Sequence, residues 1–391
     1  MRVDCQVDNR TGTSWKAQDG FSIGWQIYDP DTGIFISEGE WLPLERDVPP
    51  GSSANVSIDL QLPPENGQYR IYVSPLDPKK GWLYTQGEPL VVIDTEVRNG
   101  AIQVLSNRST TLRRLRWHNF FPALVKGFRQ PFQEIGKNRR LIRSMVRREI
   151  LARYRGSFGD VAWTILHPLL LMATYFFVFG VVLPSRFGSD ASRSGWALYF
   201  LAGMLPWLGF SEPAGRAAYV ILEYRNFVKK LVFPVSILPV NQVIAGLVTS
   251  LLATALFLLA LLVIRGHIPW TAALLPLLLI PQVLFTLGVC WFLAALGVYL
   301  RDLAQIMGFL LTLWFFLTPI CYPETSLPVE LLPLLAKNPL FHFVRAYRQI
   351  FLEGVIPATA MLVKLWSVSL VVFFVGHAWF TRLRKTFADV V

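Results

Sequence analysis

Long apolar runs dominate the C-terminal two thirds of this 391-residue chain. A helix needs about 20 mostly apolar residues to cross a bilayer core about 30 Å thick. Six stretches meet that requirement, and the only charges within them are Glu212, Arg216 and Lys364. The sequence therefore predicts an all-α polytopic membrane domain over 157–391. Its six transmembrane helices are expected at Trp163–Leu183, Trp196–Leu222, Val235–Ile264, Ile268–Leu300, Leu303–Tyr322 and Val355–Thr381.

The basic residues beside these runs predict their orientation, because lysine and arginine accumulate in short cytoplasmic loops. They are concentrated in 137–155, in the loop 223–234 and after Thr381, whereas the intervening loops have fewer or balance them with glutamates. Both termini are therefore predicted to be cytoplasmic. The chain begins without an apolar leader, which also favours a first domain in the cytoplasm.

The segment 323–354 is long but holds only two short apolar stretches, split by Asn338 and Pro339. Neither stretch is long enough to cross a membrane. Irregular backbone at membrane depth must be packed against protein, so we expect a pair of re-entrant half-helices at about 325–352. An amphipathic pair lying on the membrane surface is the alternative.

A strongly basic segment precedes the first apolar run. Ile142, Met145, Val146 and Ile150 fall on one face at 100° per residue, which predicts an amphipathic helix over 136–156. We expect it to lie in the inner membrane interface with arginines towards headgroup phosphates. A simple positive-inside anchor is the alternative, and the span that follows argues against a nucleic-acid partner. The arginines of the polar face are Arg140, Arg143, Arg147 and Arg148.

Charge and turn pattern set the N-terminal region apart from the rest. Residues 1–107 hold 8 basic and 15 acidic side chains, whereas 108–155 hold 14 and 2. Short β-prone runs alternate with turns containing proline and glycine throughout 3–105. Strands at this spacing predict a cytoplasmic antiparallel β-sandwich over 1–107, joined to the helix by a linker over 108–135.

The aromatic residues of this sandwich divide into two groups. Trp15, Trp25 and Tyr69 are expected in its core. A second group lies next to turns and could offer its rings to the C–H faces of a sugar, which makes it a possible glycan-binding site. These residues are Trp41, Trp82 and Tyr84.

Several kinds of chemistry have no support in the sequence. Cys5, Cys290 and Cys321 are far apart, so neither a disulfide framework nor a zinc site is expected. A Walker A pattern is missing, because the Gly136-Lys137 pair lacks the upstream glycine. None of the five histidines adjoins another ligand. We therefore expect no catalytic residue, no metal and no cofactor in this chain.

Three sequence blocks carry a resemblance to a known family. They begin at "LARYRGSFGDVAWTILHPLLL", "YFLAGMLPWLGFSEPAGRAAY" and "ALGVYLRDLAQIMGFLLTLWF", at positions 151, 199 and 295. Over 135–391 the chain resembles the permease subunit of bacterial ABC-2 type polysaccharide exporters, which move O-antigen, capsule or teichoic-acid chains. The N-terminal region resembles immunoglobulin-like accessory domains beside glycan-handling proteins. In the related exporters such a sandwich is attached to the ATPase.

The resemblance implies a set of partners. It implies a homodimer in the bacterial inner membrane with two copies of an ABC ATPase, which would bind ATP and magnesium. The substrate would be a glycan linked to a polyprenyl diphosphate lipid. The amphipathic helix before the first span and the loop Glu223–Pro234 would contact the ATPase, with Tyr224 and Phe227 as aromatic plugs. The loop residues concerned are Glu223, Tyr224, Arg225, Asn226, Phe227, Lys229 and Lys230.

Aromatic residues within the matching blocks are candidates for the substrate path, because rings bind sugar faces and let a polymer slide. An interfacial aromatic belt is the alternative. Glu212 and Arg216 are four residues apart and could neutralise each other, or Arg216 could meet a lipid diphosphate. The candidate path consists of Tyr199, Phe200, Trp207, Phe210, Arg216, Trp314, Phe315, Phe316 and Tyr322.

Two other functions remain open from the residues alone. An ABC-2 permease of the same build could export a drug or a small lipid. A membrane-anchored carbohydrate-binding receptor could use the sandwich, with the spans as its anchor.

Overall fold

The computed structural model describes residues 2–30, 33–98, 100–152, 193–229, 233–324 and 332–390, with short pieces at 166, 169–170, 173–174, 177–182 and 330. The chain divides into two compact units, Met1–Lys126 and Gly127–Val391. Most of the first predicted span, the residue Lys230 and the start of the predicted re-entrant segment lie outside the described residues.

The N-terminal unit contains nine antiparallel strands in its described part. The strands β1 to β9 are Arg2–Asp8, Ser22–Tyr28, Phe35–Glu38, Leu42–Pro43, Ser53–Asp59, Gly67–Asp77, Gly81–Trp82, Leu90–Arg98 and Ala101–Thr110. β1 pairs with β5 in one sheet. The other sheet has the order β3-β2-β6-β8-β9, with β4 also paired to β2 and β7 to β6. Single 3-10 turns occupy Ala17–Asp19 and Leu83–Gln86.

The two sheets share one apolar core. Ile58 of β5 and Ile23 of β2 belong to the same buried cluster, so residues of both sheets contribute to it. Trp15, Trp25 and Tyr69 are 2%, 4% and 7% exposed, which confirms them as core residues. The predicted antiparallel β region is therefore present, with these three aromatic residues in its core.

The second unit is helical. Trp270–Leu274 and Arg384–Thr386 are 3-10 turns, and Phe177–Val182 and Gln349–Glu353 have π-helical geometry. The described α-helices, including the one that joins the units, are numbered α1 to α12. They are Leu112–Lys137, Arg139–Ala152, Arg193–Ala217, Val220–Glu223, Arg225–Val228, Ile237–Arg265, Leu275–Tyr299, Leu303–Leu317, Leu332–Leu335, Pro339–Arg348, Thr359–Leu383 and Phe387–Val390.

The predicted linker over 108–135 consists of the end of a strand and most of a helix. β9 continues to Thr110, and the Thr111 hydroxyl then accepts a hydrogen bond from the Arg114 backbone N–H at 3.3 Å. A threonine in that position satisfies a free N–H group at a helix start. The segment therefore continues as α1 instead of an irregular connection.

The C-terminal part of α1 packs along α11. The rings of Phe132 and Phe373 have centroids 5.4 Å apart. Gln130 and Arg384 donate to the same oxygen of Glu134 at 3.0 and 3.1 Å. Burial raises the pKa of Glu134, but nearby His377, Ser236, Gln130 and Arg384 together lower it to about 2. This carboxylate therefore holds α1 to the end of α11.

Within the described parts of the chain, three helical segments are long and apolar enough to cross a membrane. They are Ile237–Arg265, Trp270–Tyr299 and Thr359–Leu383. α8 is equally apolar but has only 15 residues. The chain thus combines an N-terminal β-sheet region with a membrane region built around strongly apolar helices.

Glycines let the apolar helices pack at backbone distance. A Cβ on Gly288 of α7 would lie 2.3 Å from the Val372 carbonyl oxygen, and one on Gly376 of α11 would lie 2.1 Å from the Gly288 carbonyl oxygen. Small residues are favoured between membrane helices for this reason. Any side chain at either position must push α7 and α11 apart.

Candidate coupling site and substrate path

The predicted ATPase-contact loop consists of two single helical turns, α4 and α5, directly after α3. Its Phe227 ring is 46% exposed and lies between the rings of Tyr224 and Phe233, with centroids 6.1 and 5.7 Å away. The neighbouring loop residues are also exposed, namely Glu223, Arg225, Asn226 and Lys229. The loop therefore presents an apolar ring surrounded by charged and polar side chains.

Helix α2 contacts this loop directly. The Arg148 guanidinium lies 5.8 Å from the centre of the Tyr224 ring and donates to its hydroxyl at 3.5 Å. The arginine thus binds both the face and the polar tip of the tyrosine. The sequence predicted both residues as functional without predicting that they touch.

A second contact joins α2 to the end of α3. Arg216 lies 2.6 Å from a carboxylate oxygen of Glu149, and the two side chains are 28% and 10% exposed. The four-residue spacing suggested Glu212 as the partner of Arg216. The structure adds Glu149, which is 67 positions away and carried no local signal.

The apolar face of α2 packs on protein. Ile142, Met145 and Val146 are buried, and the Asn241 amide of α6 donates to the Met145 sulfur at 3.2 Å. On the other side of the helix, the side chains of Arg140, Arg143, Arg147 and Arg148 are exposed. The predicted amphipathic pattern is confirmed, and α6 covers part of its apolar face.

Four of the candidate path residues form one aromatic cluster between α3 and α8. The rings of Trp207 and Phe315 are 5.4 Å apart, and those of Phe210 and Trp314 are 5.0 Å apart. Phe200 and Phe210 are completely buried in this structure, so these two rings act as packing residues here. The other three members of the cluster are less deeply buried. Trp207 is 8% exposed, and Trp314 and Phe315 are half-buried.

Of the remaining path candidates, Phe316 contacts the cluster through Phe315, with ring centroids 5.3 Å apart. Tyr199 stacks under the guanidinium of Arg348 at 3.6 Å and accepts from it through its hydroxyl at 2.9 Å. Phe316 is 58% exposed, and Tyr322 donates to its carbonyl oxygen at 2.8 Å. Arg348 is 2% exposed and also donates to the carbonyl of Pro319. Sequence reasoning missed Arg348, although a basic residue within an apolar stretch was a usable signal.

Two tryptophans of the N-terminal unit lie side by side over β2. A Cβ on Gly24 would be 2.9 Å from Trp82 and 3.1 Å from Trp41. Trp41 is 57% exposed, and its indole N–H donates to Glu38 at 2.6 Å. The Gln26 amide donates to the other oxygen of Glu38 at 2.9 Å, which fixes the carboxylate. Trp41 is thus an exposed ring with a fixed orientation.

The structure corrects the prediction for Tyr84. Its side chain is 5% exposed, because it belongs to the 3-10 turn that folds back over the sheet. Its hydroxyl donates to Gln26 at 2.5 Å, and burial raises its pKa. Tyr84 therefore supports Gln26 and Trp82 and offers no ring face to a ligand.

The geometry defines a class of protein: a helical membrane protein with an exposed aromatic loop bound to a basic helix. Residues 140–352 match the family model for the ABC-2 type transporter. The chain belongs to the ABC-2 type transporter family. Among the residues that the structure describes, no group of three or more side chains could hold a metal ion.

The chain is also similar in sequence to individual polysaccharide transport proteins. The chain is 34% identical over 261 residues to the O-antigen export system permease protein RfbA of Myxococcus xanthus, covering 66% of this chain and 98% of that protein. It is 28% identical to the RfbA protein of Klebsiella pneumoniae, covering 62% and 92%. It is 25% identical to the polysialic acid transport protein KpsM of Escherichia coli, covering 62% and 93%.

Proposed function

We propose that this chain is the transmembrane subunit of an ATP-driven exporter that moves a lipid-linked polysaccharide across the bacterial inner membrane. Its relatives are permeases for O-antigen and polysialic acid, and it covers more than nine tenths of each of the three proteins compared. ABC-2 permeases work with ATPase partners. We expect a homodimer of this chain to enclose one substrate path and to bind two copies of the ATPase. The partner ATPase binds ATP and magnesium.

The observation that carries the proposal is the contact between the exposed loop and α2. Phe227 and Tyr224 would fill a cleft on the ATPase, with the charged loop residues around them. Movement of the loop would reach α2 through Arg148 and α3 through the Glu149–Arg216 ion pair. ATP hydrolysis would in this way act on the helix that carries Trp207.

The proposed topology has six spans with both termini in the cytoplasm. α3, the three long apolar segments, α8 and the stretch 163–183 are the proposed spans. α2 would lie along the inner membrane interface as an interface helix. α10 would be re-entrant, since Arg348 at its end is buried and its guanidinium is bound by backbone carbonyls. The carbonyl oxygens would stabilise the positive charge of Arg348 at membrane depth.

The N-terminal unit is proposed as an immunoglobulin-like sandwich that recognises the glycan or docks the ATPase before transport. Trp41 is the ring best placed for stacking on a sugar, with Trp82 beside it. Glu38 and Gln26 hold that ring in position. The acidic charge of residues 1–107 would keep the unit away from anionic lipid.

The proposal is tested in the cell by deleting the gene and restoring it. Deletion should abolish the surface polysaccharide and leave its lipid-linked form inside, and the intact gene should restore export. A drug-accumulation assay on the same strains separates export of glycan from export of small molecules. Normal surface polysaccharide in the deletion strain would refute the proposal.

A further inference from the structure

A groove with an arginine rim runs between α2 and α6. It has a volume of about 590 Å³. This size falls within the range of about 300–1,000 Å³ that is usual for small-molecule sites. Its floor is apolar and includes the buried Ile142 and Val146 of α2 and the half-buried Ile244 of α6. At one end the Leu151 side chain is 41% exposed.

The rim of this groove carries three arginines of α2, namely Arg139, Arg143 and Arg147. Their four-residue spacing places them in one row along the helix. All three are exposed, and none forms an ion pair with a residue in the part of the chain that the structure describes. Glu149, the only carboxylate of α2, is bound to Arg216. The groove therefore combines an apolar floor with three positive charges that have no described counter-charge.

We propose that the arginine-rimmed groove binds an anionic phospholipid of the inner leaflet, with an acyl chain on its floor and phosphate on the arginines. This inference rests on the proposed placement of α2 at the inner membrane interface. Guanidinium groups bind phosphate oxygens through paired hydrogen bonds. An apolar floor takes up hydrocarbon, whereas a free phosphate would gain nothing from it.

The length of the row indicates the headgroup. Eight residues separate Arg139 from Arg147, which corresponds to about 12 Å along a helix. That distance exceeds the reach of one phosphate, or of two phosphates bonded directly to each other. A phospholipid with two phosphates joined by a glycerol fits the row better, so the site should prefer a diphosphatidylglycerol to a lipid with one phosphate.

Bound lipid would act on the coupling site through α2. The arginine row and Arg148, which binds Tyr224, belong to the same helix. A lipid in the groove would fix this helix against α6 and hold the Tyr224 loop in position. The lipid is thus a positioning ligand for the coupling loop.

Lipid retention by the purified full-length chain tests the site, measured by native mass spectrometry after exchange into vesicle lipids of defined composition. The wild type should retain diphosphatidylglycerol over phosphatidylglycerol, and either of these over phosphatidylethanolamine. A triple variant, Arg139→Gln with Arg143→Gln and Arg147→Gln, should retain at least tenfold less. Arg129→Gln, an exposed position on α1 outside the groove, should retain the wild-type amount.

A second variant tests the floor without changing charge. Ile244→Trp should fill the groove and lower lipid retention while the arginines remain. Equal retention by the wild type and both groove variants would overturn the proposal, as would preferential retention of a polyprenyl diphosphate. Because this measurement needs neither ATPase nor export, its failure would leave the proposed function standing. If the purified protein retains lipid as expected but gene deletion leaves the surface glycan normal, the proposed function is refuted and the lipid site stands.

Discussion

The aromatic residues of the two units are arranged in opposite ways. In the N-terminal unit Trp41 is 57% exposed and is held open by Glu38, whereas in the membrane unit Phe210 is completely buried among other rings. The first arrangement offers a surface to a sugar, and the second leaves no room for one. The ring proposed for glycan recognition is therefore accessible, whereas Phe210, a ring proposed for the substrate path, is packed against protein.

Backbone packing holds the membrane unit together, so the largest effect should come from Gly288. Gly288→Leu must displace the Val372 carbonyl and should cost about 3 kcal/mol or more, which lowers the unfolding temperature. Gly308→Leu is the matched control, because a Cβ there meets nothing within 4 Å. Thermal unfolding in detergent measures both. A stable, unchanged Gly288→Leu protein would contradict the close packing of α7 on α11.

The next effect concerns pH and Glu134, which joins α1 to the membrane unit. Its pKa of about 2 lies below its ordinary value of 4.5, so its stabilising effect is present above pH 4.5 and is lost as the pH falls towards 2. The loss should amount to about 2 kcal/mol. Glu134→Gln should already lack this contribution at neutral pH. Denaturation midpoints at several pH values measure it, and parallel curves for the two proteins would disprove the role.

The smallest effect concerns the exposed Trp41 ring of the N-terminal unit. Trp41→Ala should weaken binding of the exported glycan to the purified full-length chain by about 1 kcal/mol, roughly fivefold. Leu105→Ala removes an apolar side chain that is 48% exposed elsewhere in the same unit and should bind normally. Calorimetric titration with the exported glycan measures the affinity of both variants. Wild-type affinity in Trp41→Ala would remove Trp41 from the proposed glycan site.

Local patterns in the sequence predict much of this fold. The 100° periodicity of Ile142, Met145 and Val146 correctly indicates the helix Arg139–Ala152, and the uncharged run Val235–Ile264 indicates the helix Ile237–Arg265. Turn residues at short intervals indicate the strands, and Trp15 and Trp25 indicate their core. Each of these signals lies within a single element, which is why it can be recognised without a structure.

Contacts between distant elements could not be predicted in this way. Arg216 had a plausible partner four residues away, and its ion pair with Glu149 of a different helix could not be inferred from that spacing. Tyr84 lies next to a turn, yet a 3-10 turn carries it into the interior. The linker over 108–135 has several basic residues and no clear end signal, and its helix is stabilised in part by contact with α11. In each case the observed structure depends on contacts between elements that are distant in the sequence.

The loop at Phe227 is proposed to couple this membrane subunit to its ATPase. The direct test is to co-purify the two subunits, reconstitute them in vesicles with a lipid-linked glycan, and measure bound ATPase and ATP-driven glycan movement together. Phe309→Ala is the control, since that ring is 69% exposed on α8, away from the loop. Phe227→Ala should weaken ATPase binding by about 2–4 kcal/mol and stop transport, while the control behaves as wild type. Full ATPase binding and undiminished transport by Phe227→Ala would contradict the claim.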